Sequence, residues 1–225
     1  KLENSISSIG FNLILNSCYP TSGEPPKYCE FIERDPDSNR VVNILNLSTN
    51  VGGNETSGID VALRYALPTL YGRFGFTFDG TWLREFNEIQ ADGSVVEGKG
   101  VFDLAAQGTY GVFPSFKFNA GVNWGWKGFG AGVTMRYLNG FKECASNNCA
   151  VAGAASRDVS SYDLWDAFVS YGLKTGMGKT DIGVGMQNVF DQDPPKIFNG
   201  FTASTDPSAY DLMGRFVYVR LAQSY

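Results

Sequence analysis

The sequence has 225 residues, 27 of them glycine, with 14% aromatic and only 18% charged residues and a net charge of −5. The acidic balance argues against a nucleic-acid partner, which needs a cationic face. No window of eighteen apolar residues exists, which excludes a transmembrane helix. Histidine is absent, removing the commonest general base and metal ligand together.

In chain order, Lys1–Ile9 reads as a first strand. It opens without a signal peptide, so the expected start is a mature or processed end, or a fragment boundary. Gly10–Arg40 is a long polar stretch, and Val41–Leu47 a short further apolar piece. Strict alternation then takes over. Ile59, Val61, Leu63, Tyr65 and Leu67 oppose Asp60, Ala62, Arg64 and Ala66. Phe74, Phe76, Phe78 and Trp82 oppose Gly75, Thr77, Asp79 and Thr81. Two more such segments follow at Ser115–Trp126 and Phe129–Phe141. In the next, Trp165, Ala167, Val169 and Tyr171 oppose Asp166 and Ser170, with Phe168 breaking the rule. The last two set Ile182, Val184 and Met186 against glycines, and Val217, Val219 and Leu221 against Tyr218, Arg220 and Ala222. Side chains of a strand point to opposite faces in turn, so each segment has one apolar face and one small or polar face.

About eight antiparallel strands result, joined by connections of alternating length. Short turns fall at Pro68–Gly72, Lys127–Gly128 and Leu173–Lys179; long stretches fall at Gly10–Arg40, Glu88–Phe113, Lys142–Ser160 and Asp191–Asp211. This is the pattern of an all-β transmembrane barrel with its long loops outside the cell. Tyr71, Trp82, Trp124, Trp126 and Phe141, near strand ends, resemble interfacial girdles. The competing reading is a soluble barrel or sandwich with the apolar face inward.

The four cysteines form two local pairs, Cys18 with Cys29 and Cys144 with Cys149, all on the long-loop side. The first spacing does not fit a zinc knuckle, so two loop disulfides in an oxidising compartment are expected. Asp35-Pro36-Asp37 starts like a calcium loop, but Arg40 stands where the loop needs glycine. Gly128-Phe129-Gly130 and Gly183-Val184-Gly185 continue into no nucleotide fingerprint. Asn46-Leu47-Ser48 and Asn54-Glu55-Thr56 fit the glycosylation triplet without further support. No nucleophile–base pair can be assembled, so an enzyme is not expected.

The tail carries the most specific motifs. Asn188-Val189-Phe190-Asp191-Gln192-Asp193-Pro194 and Tyr210-Asp211-Leu212-Met213-Gly214-Arg215-Phe216 resemble the segments that end the penultimate strand and open the last strand of TonB-dependent receptors. Thr56-Ser57-Gly58-Ile59-Asp60 and Leu67-Pro68-Thr69 with Gly72-Arg73-Phe74 are similar to an upstream strand and turn of that family. Cys18-Tyr19 and Tyr28-Cys29 resemble a cysteine-bearing external loop found in some members.

The resemblance implies that residues 1–225 are the C-terminal part of a 22-stranded barrel closed around a plug. That plug and the rest of the barrel would lie in the same precursor or on another chain. It implies an integral protein of the bacterial outer membrane, without cofactor, taking up a scarce nutrient such as an iron chelate, cobalamin or carbohydrate. Its partners would be outer-membrane lipid, the plug, the TonB complex acting through the plug, and the insertion machinery. The machinery would recognise the last strand through Gly214, Phe216, Val219, Leu221 and Tyr225. Arg84, Glu85, Asn139, Asp191, Tyr162 and Phe198 are candidate ligand contacts near the long-loop ends. The alternative is a self-contained eight-stranded barrel with a structural or adhesive role, whose interior would be filled by large side chains. The many glycines of the polar face favour a wider barrel.

Overall fold

A computed structural model describes residues 1–225 except 4, 21–22, 24, 51, 90–92, 94, 103–110, 145–154, 177 and 198–203. The strands are β1 (Leu2–Glu3), β2 (Ile6–Ser8), β3 (Ile32–Arg34), β4 (Val41–Ile44), β5 (Ser48–Asn50), β6 (Gly53–Thr69), β7 (Gly72–Ile89) and β8 (Val95–Glu97). They continue as β9 (Val101–Phe102), β10 (Phe116–Trp126), β11 (Phe129–Leu138), β12 (Phe141–Cys144), β13 (Ser156–Val159), β14 (Tyr162–Thr175), β15 (Gly178–Gln187) and β16 (Phe216–Ser224). One helix, α1 (Phe11–Cys18), and one 3₁₀ turn, Cys29–Phe31, complete the described elements. No described helix is long and apolar enough to cross a membrane, which says nothing of strands.

The chain divides into two compact units, Lys1–Thr56 with Asn87–Glu97, and Ser57–Phe86 with Gly98–Tyr225. In the first, β1 pairs with the opening of β6, β2 with β5, β3 with β4, and the end of β7 with β8. The expected first strand over Lys1–Ile9 is thus two short pieces. The expected polar loop Gly10–Arg40 contains a helix: Phe11, Ile14, Leu15 and Cys18 recur at helical spacing, and Ile14 and Cys18 are buried. Gly10, at φ 91°, opens the helix, and its N–H donates to Asn46 Oδ1 at 2.9 Å. A disulfide joins Cys18 to Cys29 and so fixes the helix end to the 3₁₀ turn. The β3–β4 turn is held by Asp35 Oδ1, which accepts from Ser38 N at 2.7 Å, Ser38 Oγ and Asp37 N. That is the work of the false calcium motif: an Asx-type turn.

In the second unit, β6, β7, β10, β11, β14, β15 and β16 follow one another as neighbours in one antiparallel sheet. The hairpins turn at Leu70-Tyr71, at Lys127-Gly128 and between Thr175 and Gly178. Among the described residues β16 pairs only with β15, so the sheet is not closed within this chain. The register aligns the alternation across the whole sheet. Phe76, Val122, Val133, Ala167, Met186 and Val217 form one cross-strand row on the apolar face. Val61, Leu63, Val169, Val184 and Val219 on that face are exposed. A one-residue slip would swap the two faces of any strand, so the pattern itself fixes register.

The opposite face carries the small and polar residues, and two of its large rings rest on glycines. Phe168 pairs with Gly132 and Tyr218 with Gly185. A Cβ added at Gly132 would lie 2.4 Å from the Phe168 ring, and one at Gly185 2.2 Å from the Tyr218 ring. Phe168, the exception to the alternation, is thereby accommodated by a missing side chain on its neighbour.

Two aromatic rows bound the apolar face. Trp126, Phe129 and Tyr171 align at the short-turn end, and Trp82 and Phe116 at the other. Ten residues of β10 separate Trp126 from Phe116, about 33 Å along the strand, or about 25 Å at the usual barrel tilt. That is the height of an outer-membrane apolar band. Phe141 departs from the expected girdle. It is 5% exposed and packs with Phe102, Val112, Val159, Tyr162, Leu164, Ile197 and Tyr210 in a core formed by the long connections. The three-stranded sheet β13-β12-β9 forms part of this core. Each fully buried side chain of this size contributes about 1.5–3 kcal/mol, so this burial holds the described parts of the connections against Tyr162 and Leu164 of β14.

Candidate functional site

The polar face and the loop core meet around a cavity of about 730 Å³. Asp60, Asp79, Lys117, Asn119, Arg136 and Asp211 supply its charged and amide groups. Alternation puts the first five on one face of adjacent strands; a loop brings the sixth. Arg64 binds both oxygens of Asp79, at 2.8 and 2.7 Å, and Thr81 Oγ1 donates to Asp60 Oδ1 at 2.7 Å. Arg136 lies between Asp166, at 3.5 Å, and Asp211, at 3.3 Å. Its Nε is buried without a hydrogen-bond partner among the described residues. This wall offers spaced donors and acceptors, which suits polar recognition.

The loop core is pinned by a buried carboxylate. Asp206, 1% exposed, accepts from Val112 N at 2.8 Å and from Ser208 N and Oγ at 2.9 and 2.6 Å. Gly111, at φ 78°, makes room for it: an added Cβ would stand 2.7 Å from Asp206 Oδ2. Glu143, also buried, is paired with Arg157, whose Nη2 donates to the Lys196 carbonyl at 2.7 Å. Tyr210 sits in this core with its hydroxyl buried and unpartnered among the described residues. Burial, then the nearby Asp206 charge, raises its phenol well above the ordinary range.

The two tail motifs act on each other. Asn188 and Asp191 adopt left-handed backbone, at φ 49° and 56°. Asn188, 2% exposed, accepts from Gln192 N at 2.8 Å and donates from Nδ2 to the Gln192 and Met213 carbonyls. Asp191 Oδ1 accepts from Arg215 N at 2.8 Å, and Asp211 Oδ1 from Met213 N at 3.0 Å. The end of β15 and the approach to β16 are thereby tied into one knot. Arg136 adds a strand to it through Asp211.

The proposed ligand contacts do not converge. Of the described ones, Tyr162 alone lines the cavity, and it is 2% exposed with its hydroxyl on the Asp211 carbonyl at 3.2 Å, so its ring has no free face for stacking. Asn139 donates to Ser115 Oγ at 2.9 Å, Glu85 accepts from Ser57 Oγ at 3.3 Å, and Asp191 is in the tail knot. Arg84 is exposed on β7 and lines no part of the cavity; Phe198 lies outside the described residues. The cavity residues were marked by their parity on the polar face.

Of the last-strand residues, Val219 and Leu221 lie on the apolar face in register with Val184 and Ile182. Phe216 stacks with Tyr218, on the opposite face. Gly214 precedes β16 beside Asp191, and Tyr225, 98% exposed, lies one residue past it. Gln223, which interrupts the apolar row, accepts a hydrogen bond from Thr180, its register partner. Cys144 is disulfide-bonded, and Cys149 lies outside the described residues.

No curated protein matches the sequence significantly. Among solved structures, a mutant of the ferric enterobactin receptor of Pseudomonas aeruginosa is similar over 97% of this chain, with TM-score 0.56 and 16% identity. The chain spans 27% of that structure's length. At this identity the likeness concerns the fold. A family model described as TonB dependent receptor-like, β-barrel matches residues 21–189, three quarters of the chain. With its open, two-faced antiparallel sheet and knotted tail motifs, the chain belongs to the TonB-dependent receptor family, as a portion of the β-barrel of these outer-membrane receptors.

Proposed function

We propose that this chain is a C-terminal section of the wall of a TonB-dependent active transporter for a scarce nutrient. The observation that carries this is the open sheet with one apolar face and one face of glycines and hydrogen-bonding groups. Such a sheet needs further strands at its edges and a wide interior behind its polar face. The remaining strands and the plug come from the same precursor or a separate chain, and TonB acts through the plug. The long connections, with Cys18–Cys29 and a second bridge between Cys144 and Cys149, face the cell exterior. The apolar row of β16 with Tyr225 is the strand that the insertion machinery reads. The cavity wall of Asp60, Lys117, Asn119 and Arg136 faces cargo or plug; iron chelates, cobalamin and carbohydrates are the cargo classes in keeping with the family.

Intact mass of the native detergent-extracted polypeptide, with sequencing of its N-terminal region, tests the proposal. A mass several times 24.5 kDa with a plug upstream, or a 24.5 kDa chain co-purifying with a plug-bearing partner, is the expected result. A lone 24.5 kDa chain in detergent would instead mean a self-contained barrel and overturn the transporter reading.

A further inference from the structure

The apolar face of the sheet is not uniform. Between the aromatic rows it has a depression of about 430 Å³, floored by Ala131 and Ala167 and walled by Val122, Trp124, Val184 and Met186. The register explains it. In the row Trp124, Ala131, Val169, Val184 and in the next row Val122, Val133, Ala167, Met186, the alanines sit on adjacent strands, one step apart. Larger side chains stand on every side, so the missing methyls leave a hollow instead of a flat surface.

Its height on the sheet is informative. The hollow occupies the two rows next to the Trp126, Phe129 and Tyr171 row, about 7 and 13 Å from it along the strands. An apolar leaflet is about 15 Å deep, so the hollow lies within the leaflet on the short-turn side. The hollow itself is lined by apolar residues, and polar and cationic groups stand beyond its near end. Trp124 lines the hollow while its indole N–H donates to the Tyr71 carbonyl in the β6–β7 turn at 2.8 Å. The Lys127 ammonium lies 4.6 Å above the Trp126 ring, which places a positive charge at the interfacial end of the apolar face. Lys127 is held there by its turn, at φ 47°, followed by Gly128 at φ 90°.

We propose that this hollow and Lys127 form a phospholipid site, with one acyl chain seated on Ala131 and Ala167 and an anionic headgroup phosphate on the Lys127 ammonium. An acyl chain fills an apolar hollow that offers water almost no polar partner. A cation snorkelling at the interface, over an aromatic ring, favours an anionic headgroup. The hollow opens on the apolar band, and Lys127 stands at the band's edge over Trp126, which favours a lipid over a second protein. This rests on the reading of the sheet as a membrane wall.

The test is native mass spectrometry of the whole detergent-extracted protein, titrated with dioleoyl phosphatidylglycerol and, separately, dioleoyl phosphatidylcholine. The expected result is one phosphatidylglycerol held more tightly than phosphatidylcholine. Ala131→Leu with Ala167→Leu fills the hollow and should weaken that binding at least roughly tenfold. Lys127→Asn, which tolerates the turn geometry, should remove the preference for phosphatidylglycerol. Unchanged binding in the filled variant overturns the proposal, and so does a preference for phosphatidylglycerol that survives Lys127→Asn. Should the double variant fail to show the heat-dependent gel shift of a folded barrel, Ala167→Val carries the same expectation at smaller size. The membrane-wall reading fails separately, if the folded protein stays soluble without detergent.

Discussion

Replacing Asp206 by Ala should open the loop core while leaving the sheet intact. The carboxylate accepts three hydrogen bonds, two from Ser208, which is exposed and can rehydrate. The third donor is the Val112 N–H, whose residue is 7% exposed. A hydrogen bond to a charged acceptor contributes about 1.5–3 kcal/mol, and a buried donor left unsatisfied costs a comparable amount. Since rehydration recovers the Ser208 share, we take about 3 kcal/mol as the loss in local stability. Hydrogen exchange at the Val112 amide, followed by mass spectrometry of the whole detergent-extracted protein, should then accelerate roughly a hundredfold. Exchange in β10 and β11 should be unchanged, because their hydrogen bonds belong to the sheet. Asp206→Asn keeps volume and one acceptor and should show a smaller acceleration. Gly111→Ala should reproduce the effect from the other side, since its Cβ would intrude on the carboxylate at a left-handed φ. Exchange at Val112 within about threefold of wild type in Asp206→Ala would refute the reasoning, since half a kcal/mol is less than any single bond to that carboxylate is worth.

Other consequences are equally direct. The folded loop core disfavours the Tyr210 phenolate, so its contribution to stability is present below about pH 10 and falls as pH rises above it. Tyr210→Phe should abolish that alkaline loosening, read by proteolysis of the loops against pH, at little cost at pH 7 because the hydroxyl has no partner among the described residues; an unaltered alkaline slope would show that another group is responsible. Gly185→Ala should lower the heat-shift temperature by displacing the Tyr218 ring, a cost of about 1–3 kcal/mol, whereas Gly75→Ala, with nothing within 4 Å, should not; equal effects would mean that the ring moves freely. Cys18→Ser should release the end of α1, lowering local stability by about 2–3 kcal/mol and exposing Lys27 to trypsin, while trypsin resistance equal to wild type would show that packing alone holds the segment.

The strands of the second unit were legible because alternation is enforced by the chain itself: neighbouring side chains on a strand cannot share a face. Ile59–Leu67, Ser115–Trp126 and Ile182–Met186 therefore announced both their structure and their two environments. Helix α1 was hidden in a stretch judged by its polarity, although Phe11, Ile14, Leu15 and Cys18 already carried the helical period. Phe141 was misplaced for a different reason. An aromatic at a strand end looks the same in sequence whether it meets an interface or a core, and only the folding of residues around 102, 112, 159, 197 and 210 against it decides which.

The candidate site divides in the same way. Its sheet half was implicit in the polar parity of Asp60, Asp79, Lys117, Asn119 and Arg136. The loop half, Ser208 and Asp211 with Asp206 buried behind them, came from segments with no period to read. The tail motifs could be matched by resemblance, but not their purpose, the knot in which Asn188 and Asp191 hold Met213 and Arg215. By itself the sequence determined the two-faced strands, their order of short and long connections and the family they resemble, because these depend on local geometry and repeat along the chain. Tertiary structure decided the loop core, the cavity and the hollow at Ala131 and Ala167, because each depends on side chains from different strands and loops meeting in space, which no local pattern encodes.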